Sequence, residues 1–225
     1  MCPTSSRHLW RKISVADATP DKVQYMSGFR RGNATNSRFK FETRLSKVSA
    51  MRANVTVAKL RRFMTELAGK GKGGGAVYFT GGATALLLEM REQTIDVDVA
   101  FDPEPGGVFE AMAELKNSLD LNVELACPAD FIPVPLDWKA KSHFITEING
   151  IAFYHYDLRA QALAKIERGH GHDLEDARGF LKFAKISGAE LWQAFSQIKA
   201  GLVRYPAIDP ASFEAKVARF LKGTE

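Results

Sequence analysis

Cysteine is scarce in this chain of 225 residues, which has only Cys2 and Cys127. Two cysteines so far apart give neither the ligand spacing of a zinc site nor the framework of a disulfide-stapled domain. Long apolar runs are missing as well: none approaches the roughly 20 residues of a membrane span, and the first residues lack the apolar core of a secretory signal. The sequence therefore predicts a soluble protein of the cytoplasm without a membrane partner.

Positive charge is concentrated in the first third of the chain. Residues 1–75 carry 16 Lys and Arg against 4 Asp and Glu, whereas residues 76–225 carry 15 against 22. Residues 1–50 are rich in Ser, Thr, Asn, Lys and Arg and have no sustained helix or strand period, which predicts a basic, disordered leader. Such a leader can contact RNA through its charge. The alternative is a solvated extension that the protein can lose, since the compact pattern starts just after Met51.

Two further parts are predicted beyond the leader. Residues 51–150 open with an amphipathic helix, because apolar residues between Val55 and Leu67 recur every three or four positions. Short alternating segments and further helices follow. This order predicts an α/β (α+β) fold, with a small mixed β-sheet flanked by helices, and residues 151–225 are predicted to form a C-terminal helical part packed on it.

A glycine pair separates the first predicted strand, residues 76–80, from the helix that follows it. Gly81 and Gly82 form the turn, and strong helix formers continue to Met90. The N–H groups in the first turn of a helix have no partner within the helix, so these groups and the Thr84 hydroxyl are expected to be free to meet a phosphate. A glycine turn between a strand and a helix is common, and its alternative interpretation is a plain connection.

An acidic strand follows over residues 94–101, where apolar residues alternate with polar ones. Asp96 and Asp98 share the polar face, about 7 Å apart along the strand. Aspartate is a poor strand former, and a bound cation would relieve the repulsion between the pair. On the next predicted strand, residues 121–125, Glu124 lies on the face opposite the apolar residues. The alternatives are an edge strand protected by charge and a surface glutamate.

This order of elements resembles the nucleotidyltransferase superfamily that includes DNA polymerase beta, in its minimal single-domain form. The shared pattern is a strand, a Gly-Gly turn and a helix, then an acidic strand and a later carboxylate. The resemblance implies that Gly81 and Gly82 approach the phosphates of a nucleotide. It also implies that Asp96 and Asp98 bind two Mg²⁺ ions, with Glu124 as the third carboxylate. Many members have Ser at the second glycine, and here Thr84 would take its place.

The C-terminal part resembles a bacterial branch of that superfamily, related to abortive-infection and toxin-antitoxin nucleotidyltransferases. In that branch a helix with Lys and Arg precedes an Asp-x-x-Asp motif, as residues 154–168 precede Asp173 and Asp176 here. The resemblance implies that Lys165 contacts a nucleotide phosphate and that the two aspartates shape the far side of the site. The alternatives are structural: Asp173 as a helix N-cap, and Lys165 as a boundary lysine that reaches solvent.

The expected function is metal-dependent transfer of a nucleoside monophosphate from a nucleoside triphosphate to a hydroxyl acceptor. The acceptor would be RNA, such as tRNA, or a protein, and a cognate toxin or antitoxin would be a partner. Two alternatives stay open at this point. One is a catalytically silent binding or antitoxin module of the same fold, and the other is an RNA-binding protein that acts through its basic leader.

Overall fold

The computed structural model of the protein describes residues 54–223, so the predicted leader, residues 1–50, lies outside the described residues. Seven α-helices lie in the described part: α1 (Val57–Lys70), α2 (Gly81–Leu87), α3 (Val108–Ser118), α4 (Leu158–Arg168), α5 (Gly171–Ala184), α6 (Gly188–Lys199) and α7 (Pro210–Lys222). Five β-strands accompany them: β1 (Gly75–Thr80), β2 (Asp96–Phe101), β3 (Asn122–Leu125), β4 (His143–Ile148) and β5 (Ile151–His155).

The strands form one mixed sheet in the order β3, β2, β1, β5, β4. Strand β1 is antiparallel to β2 and parallel to β5, while β2 is parallel to β3 and β4 is antiparallel to β5. The predicted α+β fold, a small mixed sheet flanked by helices, is confirmed. The sheet continues past residue 150, where the helical part was predicted to begin, because β5 pairs with β1.

One face of the sheet is covered by α1 and α3. Val77 and Phe79 of β1 are fully buried there with Phe63 of α1 and Leu115 of α3. Full burial of each such side chain stabilises the fold by about 1.5–3 kcal/mol. The alternating pattern predicted this core face, except at two positions. Ile95 is 59% exposed because it precedes β2, and Leu125 is half exposed because it ends an edge strand beyond the buried cluster.

The last four helices share a second apolar core. Leu163 and Ile166 of α4 are buried in it with Phe195 of α6 and Phe213 of α7. Helix α4 packs against α5, which in turn contacts α2. On its other side, α4 carries polar side chains that line a cleft together with residues of β1 and β2. Among residues 54–223, no helix is both long enough and apolar enough to cross a membrane.

Candidate active site

The register of three strands brings the predicted carboxylates together. Asp98 of β2 lies opposite Thr80, the last residue of β1, and opposite Glu124 of β3. Asp96 lies opposite Asn122, whose amide donates hydrogen bonds to Asp96 Oδ1 (2.7 Å) and Glu124 Oε1 (3.0 Å). Asp96, Asp98 and Glu124 therefore lie on neighbouring strands at one end of the sheet. Alternation predicted their polar faces, and the pairing of β2 with β3 brings them together.

The Asp98 carboxyl has a raised pKa. Burial, together with the negative charges of Asp96 and Glu124, raises this pKa to about 6 against the opposing effect of Arg168 and Lys165. The carboxylate cluster therefore has more negative charge than its surroundings balance. This is the electrostatic condition that a bound cation would relieve.

Gly81 is required where β1 meets α2. Its φ is +55°, and a Cβ added there would lie 2.9 Å from Asp98 Oδ2, so any side chain would be strained and would press on the carboxylate. Gly82 is confined by a different neighbour, since its added Cβ would lie 2.2 Å from Thr94 Oγ1. Both glycines line the cleft beside Asp98, and they form the first turn of α2 rather than a separate turn.

Thr84 does not reach the site. It is fully buried, and its hydroxyl donates a hydrogen bond to the carbonyl of Phe79 (2.9 Å). The expectation that this hydroxyl is free to meet a phosphate is therefore wrong for this structure. The reason is tertiary: Gln161 of α4 covers the start of α2, and its amide lies 3.3 Å from Thr84 Oγ1.

Gln161 was missed in the sequence analysis although it organises this turn. Its Oε1 accepts a hydrogen bond from the Gly81 N–H (2.8 Å), and its amide donates to the Tyr156 carbonyl (2.9 Å). The available signal was spacing: Gln161, Lys165 and Arg168 follow one another at i, i+4 and i+7 along α4 and so share one helix face. All three line the cleft.

The opposite wall of the cleft, the helix wall of α4 and α5, carries an ion-pair network in which Lys165, Asp173 and Asp176 are buried. Lys165 is 5% exposed, and its Nζ donates to Asp173 Oδ1 (2.9 Å) and Asp176 Oδ2 (2.7 Å). Arg168 binds Asp173 (2.8 Å), and Arg91, from the loop after α2, binds Asp176. The alternative of a boundary lysine that reaches solvent is therefore wrong.

Asp173 does not cap its helix. Helix α5 begins at Gly171 with His170 as its N-cap, so Asp173 lies within the first turn and uses its carboxylate on the basic side chains instead. Burial acts to raise the pKa of Asp173, but the hydrogen bond and charge of Lys165, together with Arg168, outweigh burial and hold that pKa below its ordinary value. The N-cap interpretation of Asp173 is therefore wrong, although an acid in the first turn still complements the helix dipole.

Both walls face a single cleft of about 380 Å³. Five carboxylates and three basic side chains line it: Asp96, Asp98, Glu124, Asp173, Asp176, Arg91, Lys165 and Arg168. All five acids and Lys165 were predicted as site residues from the sequence, whereas Arg91 and Arg168 had no assigned role. Of the predicted site residues, Thr84 alone is absent from the lining.

The carboxylates offer the hard oxygen ligands that Mg²⁺ prefers. Their side chains are nevertheless spread along the strands: within residues 54–223, no three His, Cys, Asp or Glu side chains converge closely enough to hold a metal ion as they stand. The donor chemistry and the raised pKa of Asp98 fit a divalent cation. The fit is one of ligand type and charge, and binding would require the side chains of Asp96 and Glu124, both exposed, to rotate.

Comparisons of the chain with protein-family models, with curated proteins and with solved structures found no match. The chemistry of the cleft therefore has to be inferred from its own residues.

Replacing Asp98 with asparagine should stabilise the metal-free protein at high pH. A carboxyl whose pKa is raised by folding stabilises the native state only while it is protonated, so the wild type loses this contribution as pH rises through about 6. We expect Asp98→Asn to raise the free energy of unfolding by roughly 1–3 kcal/mol at pH 8, and by less at pH 5. Urea unfolding in EDTA at both pH values measures this.

The matched control for that measurement is Asp102→Asn, which removes a carboxylate just beyond the other end of β2 that pairs with Lys139 at the surface. It should give no gain in stability at pH 8. Destabilisation by Asp98→Asn at pH 8 would contradict the charge-crowding explanation.

Replacing Gln161 with leucine should destabilise the start of α2. The variant keeps the side-chain size but leaves the Gly81 N–H and the Tyr156 carbonyl without this partner, which should cost about 1–3 kcal/mol. Hydrogen exchange at Gly81 should accelerate, and the urea midpoint should fall. Gln193→Leu, an exposed position on α6, is the control and should change neither quantity.

Replacing Lys165 with methionine should destabilise the helix wall. The change leaves two buried carboxylates that only Arg168 and Arg91 still balance, so we expect a loss on the order of 3 kcal/mol in the free energy of unfolding. Lys182→Met, at an exposed position of α5, is the matched control. A midpoint unchanged by Lys165→Met would show that the network contributes no net stability.

Proposed function

We propose that the protein is a metal-dependent nucleotidyltransferase, which moves a nucleoside monophosphate from a nucleoside triphosphate to a hydroxyl group on RNA, such as tRNA, or on a protein. The observation that supports this most directly is the two-walled cleft. Strand carboxylates with unbalanced negative charge face a helix wall with lysine and arginine, and a tight glycine turn lies between them. A metal-bound triphosphate carries the charges that both walls would bind.

Asp96, Asp98 and Glu124 would hold Mg²⁺. Once bound, two such ions would neutralise charge on the triphosphate and on the leaving pyrophosphate. The chain itself would contribute binding and orientation. Arg91, Lys165 and Arg168 stand where they could bind phosphate oxygens, with Arg168 the most exposed of the three.

The glycine turn and the aspartates of the helix wall have supporting roles in this proposal. Gly81 and Gly82 would present backbone to the triphosphate beside Asp98, with the Gly81 N–H already donated to Gln161. Asp173 and Asp176 would hold Lys165 and the arginines in position, so that the basic groups are oriented before the nucleotide arrives. The aspartates would thus act through the basic side chains rather than on the substrate.

One observation favours the second candidate, a catalytically silent binding or antitoxin module. Lys165 already donates to two carboxylates, so a phosphate would have to compete with Asp173 and Asp176 for it. A module that keeps the fold but uses the cleft only as a scaffold would tolerate this arrangement. The third candidate, RNA binding through the leader, concerns residues outside the described range.

The decisive test replaces one metal ligand without altering its size. The protein is incubated with each labelled nucleoside triphosphate, Mg²⁺, total RNA and cell extract, and the labelled macromolecule is identified. Asp96→Asn should lower labelling at least about 100-fold, because the anionic ligand is lost while the fold is kept. Asp102→Asn, with the same substitution away from the cleft, should label at the wild-type rate.

Three outcomes of this test separate the candidates. Labelling by Asp96→Asn at the wild-type rate would refute the transferase proposal. Nucleotide binding by the wild type without any transfer would favour the silent module. RNA binding that disappears when residues 1–50 are deleted, with no effect of Asp96→Asn, would favour action through the leader.

A further inference from the structure

One side of the cleft is apolar, although the rest of its lining is charged or polar. Five residues form this side: Ala126, Cys127, Pro128, Phe131 and Ala164. Among the lining residues that the structure describes, Phe131 alone has a phenyl ring. Burial raises the pKa of the Cys127 thiol to about 11, so at neutral pH this side chain is uncharged and belongs to the apolar side.

The segment that carries Phe131 is held by contacts of the residues before and after it in the chain. The short 3-10 helix Pro128–Asp130 precedes it, and the Asp130 carboxylate accepts a hydrogen bond from the Cys127 N–H (2.7 Å). The Tyr205 hydroxyl donates to the Ala129 carbonyl (2.8 Å), and Ile132 is fully buried. The backbone is therefore held in place, while Phe131 remains 51% exposed and lines the cleft.

Exposed phenyl rings occur elsewhere in the described part of the chain, as at Phe144, so exposure alone carries no meaning. Phe131 differs because it lines the cleft, beside charged groups. The charged side of the cleft suits phosphates and a cation, and its apolar side offers a flat aromatic surface. A ligand that matches both sides has a planar aromatic group joined to a polyanion, and a nucleotide has this composition.

We propose that Phe131 is the platform on which the nucleobase of the bound nucleoside triphosphate stacks; this inference rests on the proposed function. Stacking on an aromatic side chain accepts every base, because each base has a π-face. Phe131 therefore contributes affinity for the base as a class and distinguishes a nucleotide from a bare polyphosphate. It does not select among the four nucleotides.

The test compares ligands with and without a base. Dissociation constants are measured for ATP, GTP, CTP, UTP and inorganic triphosphate, all with Mg²⁺, on the wild type, Phe131→Ala and Phe131→Trp. Phe131→Ala should weaken binding of every nucleotide roughly 5- to 150-fold, the effect of losing one stacked base, and leave triphosphate binding unchanged. Phe131→Trp should keep nucleotide affinity within a few-fold of the wild type, since it keeps the platform.

Phe144→Ala is the matched control, because Phe144 is also an exposed phenyl ring (60%) but lies on β4 outside the cleft lining. It should leave all five dissociation constants unchanged. If Phe131→Ala binds nucleotides as the wild type does, or weakens triphosphate and nucleotides equally, the platform is refuted while the proposed function stands. If the wild type binds neither nucleotides nor triphosphate, the proposed function fails and the platform fails with it.

Discussion

Crowding of negative charge at one end of the sheet is the constraint on which the site depends. The pairing of β2 with both β1 and β3 puts Asp98 between the end of β1 and Glu124, and Asp96 is two residues away on the same face. The charges of Asp96 and Glu124 raise the cost of ionising Asp98. The glycine at residue 81 follows from the same crowding, because it leaves Asp98 the space that a side chain would occupy. The rest of the cleft can be understood as a response to this charge.

Helix α4 links the cleft to the core of the C-terminal helices. One of its faces packs Leu163 and Ile166 into the core of the C-terminal helices, and the other presents Gln161, Lys165 and Arg168 to the cleft. The apolar face fixes the height and rotation of the helix, which in turn fixes where the polar side chains reach. Buried ion pairs contribute little net stability as a rule. Those of the helix wall are better understood as fixing positions, with the cost covered by the apolar packing behind them.

Local periodicity was sufficient for the strand wall and insufficient for the start of α2. Alternation alone puts Asp96, Asp98 and Glu124 on polar faces, because side chains on a strand alternate with a period of two whatever lies around them. The burial of the Thr84 hydroxyl depends instead on Gln161. This residue is distant in sequence and covers the start of α2 only in the folded chain. The hairpin of β4 and β5 was likewise not anticipated, since its pairing with β1 is a long-range contact without a local sequence signal.

The position of β5 has a consequence for how the chain is made. In the sheet β5 lies beside β1, on the side away from β2, yet it follows β1 by about seventy residues in the sequence. During synthesis β1 therefore emerges with the edge that later pairs with β5 still unpaired. Long-range pairing of this kind slows folding, because a large loop must close before the contact forms. The nascent protein thus carries an unpaired sheet edge while these intervening residues are made, a period in which binding by a chaperone would matter most.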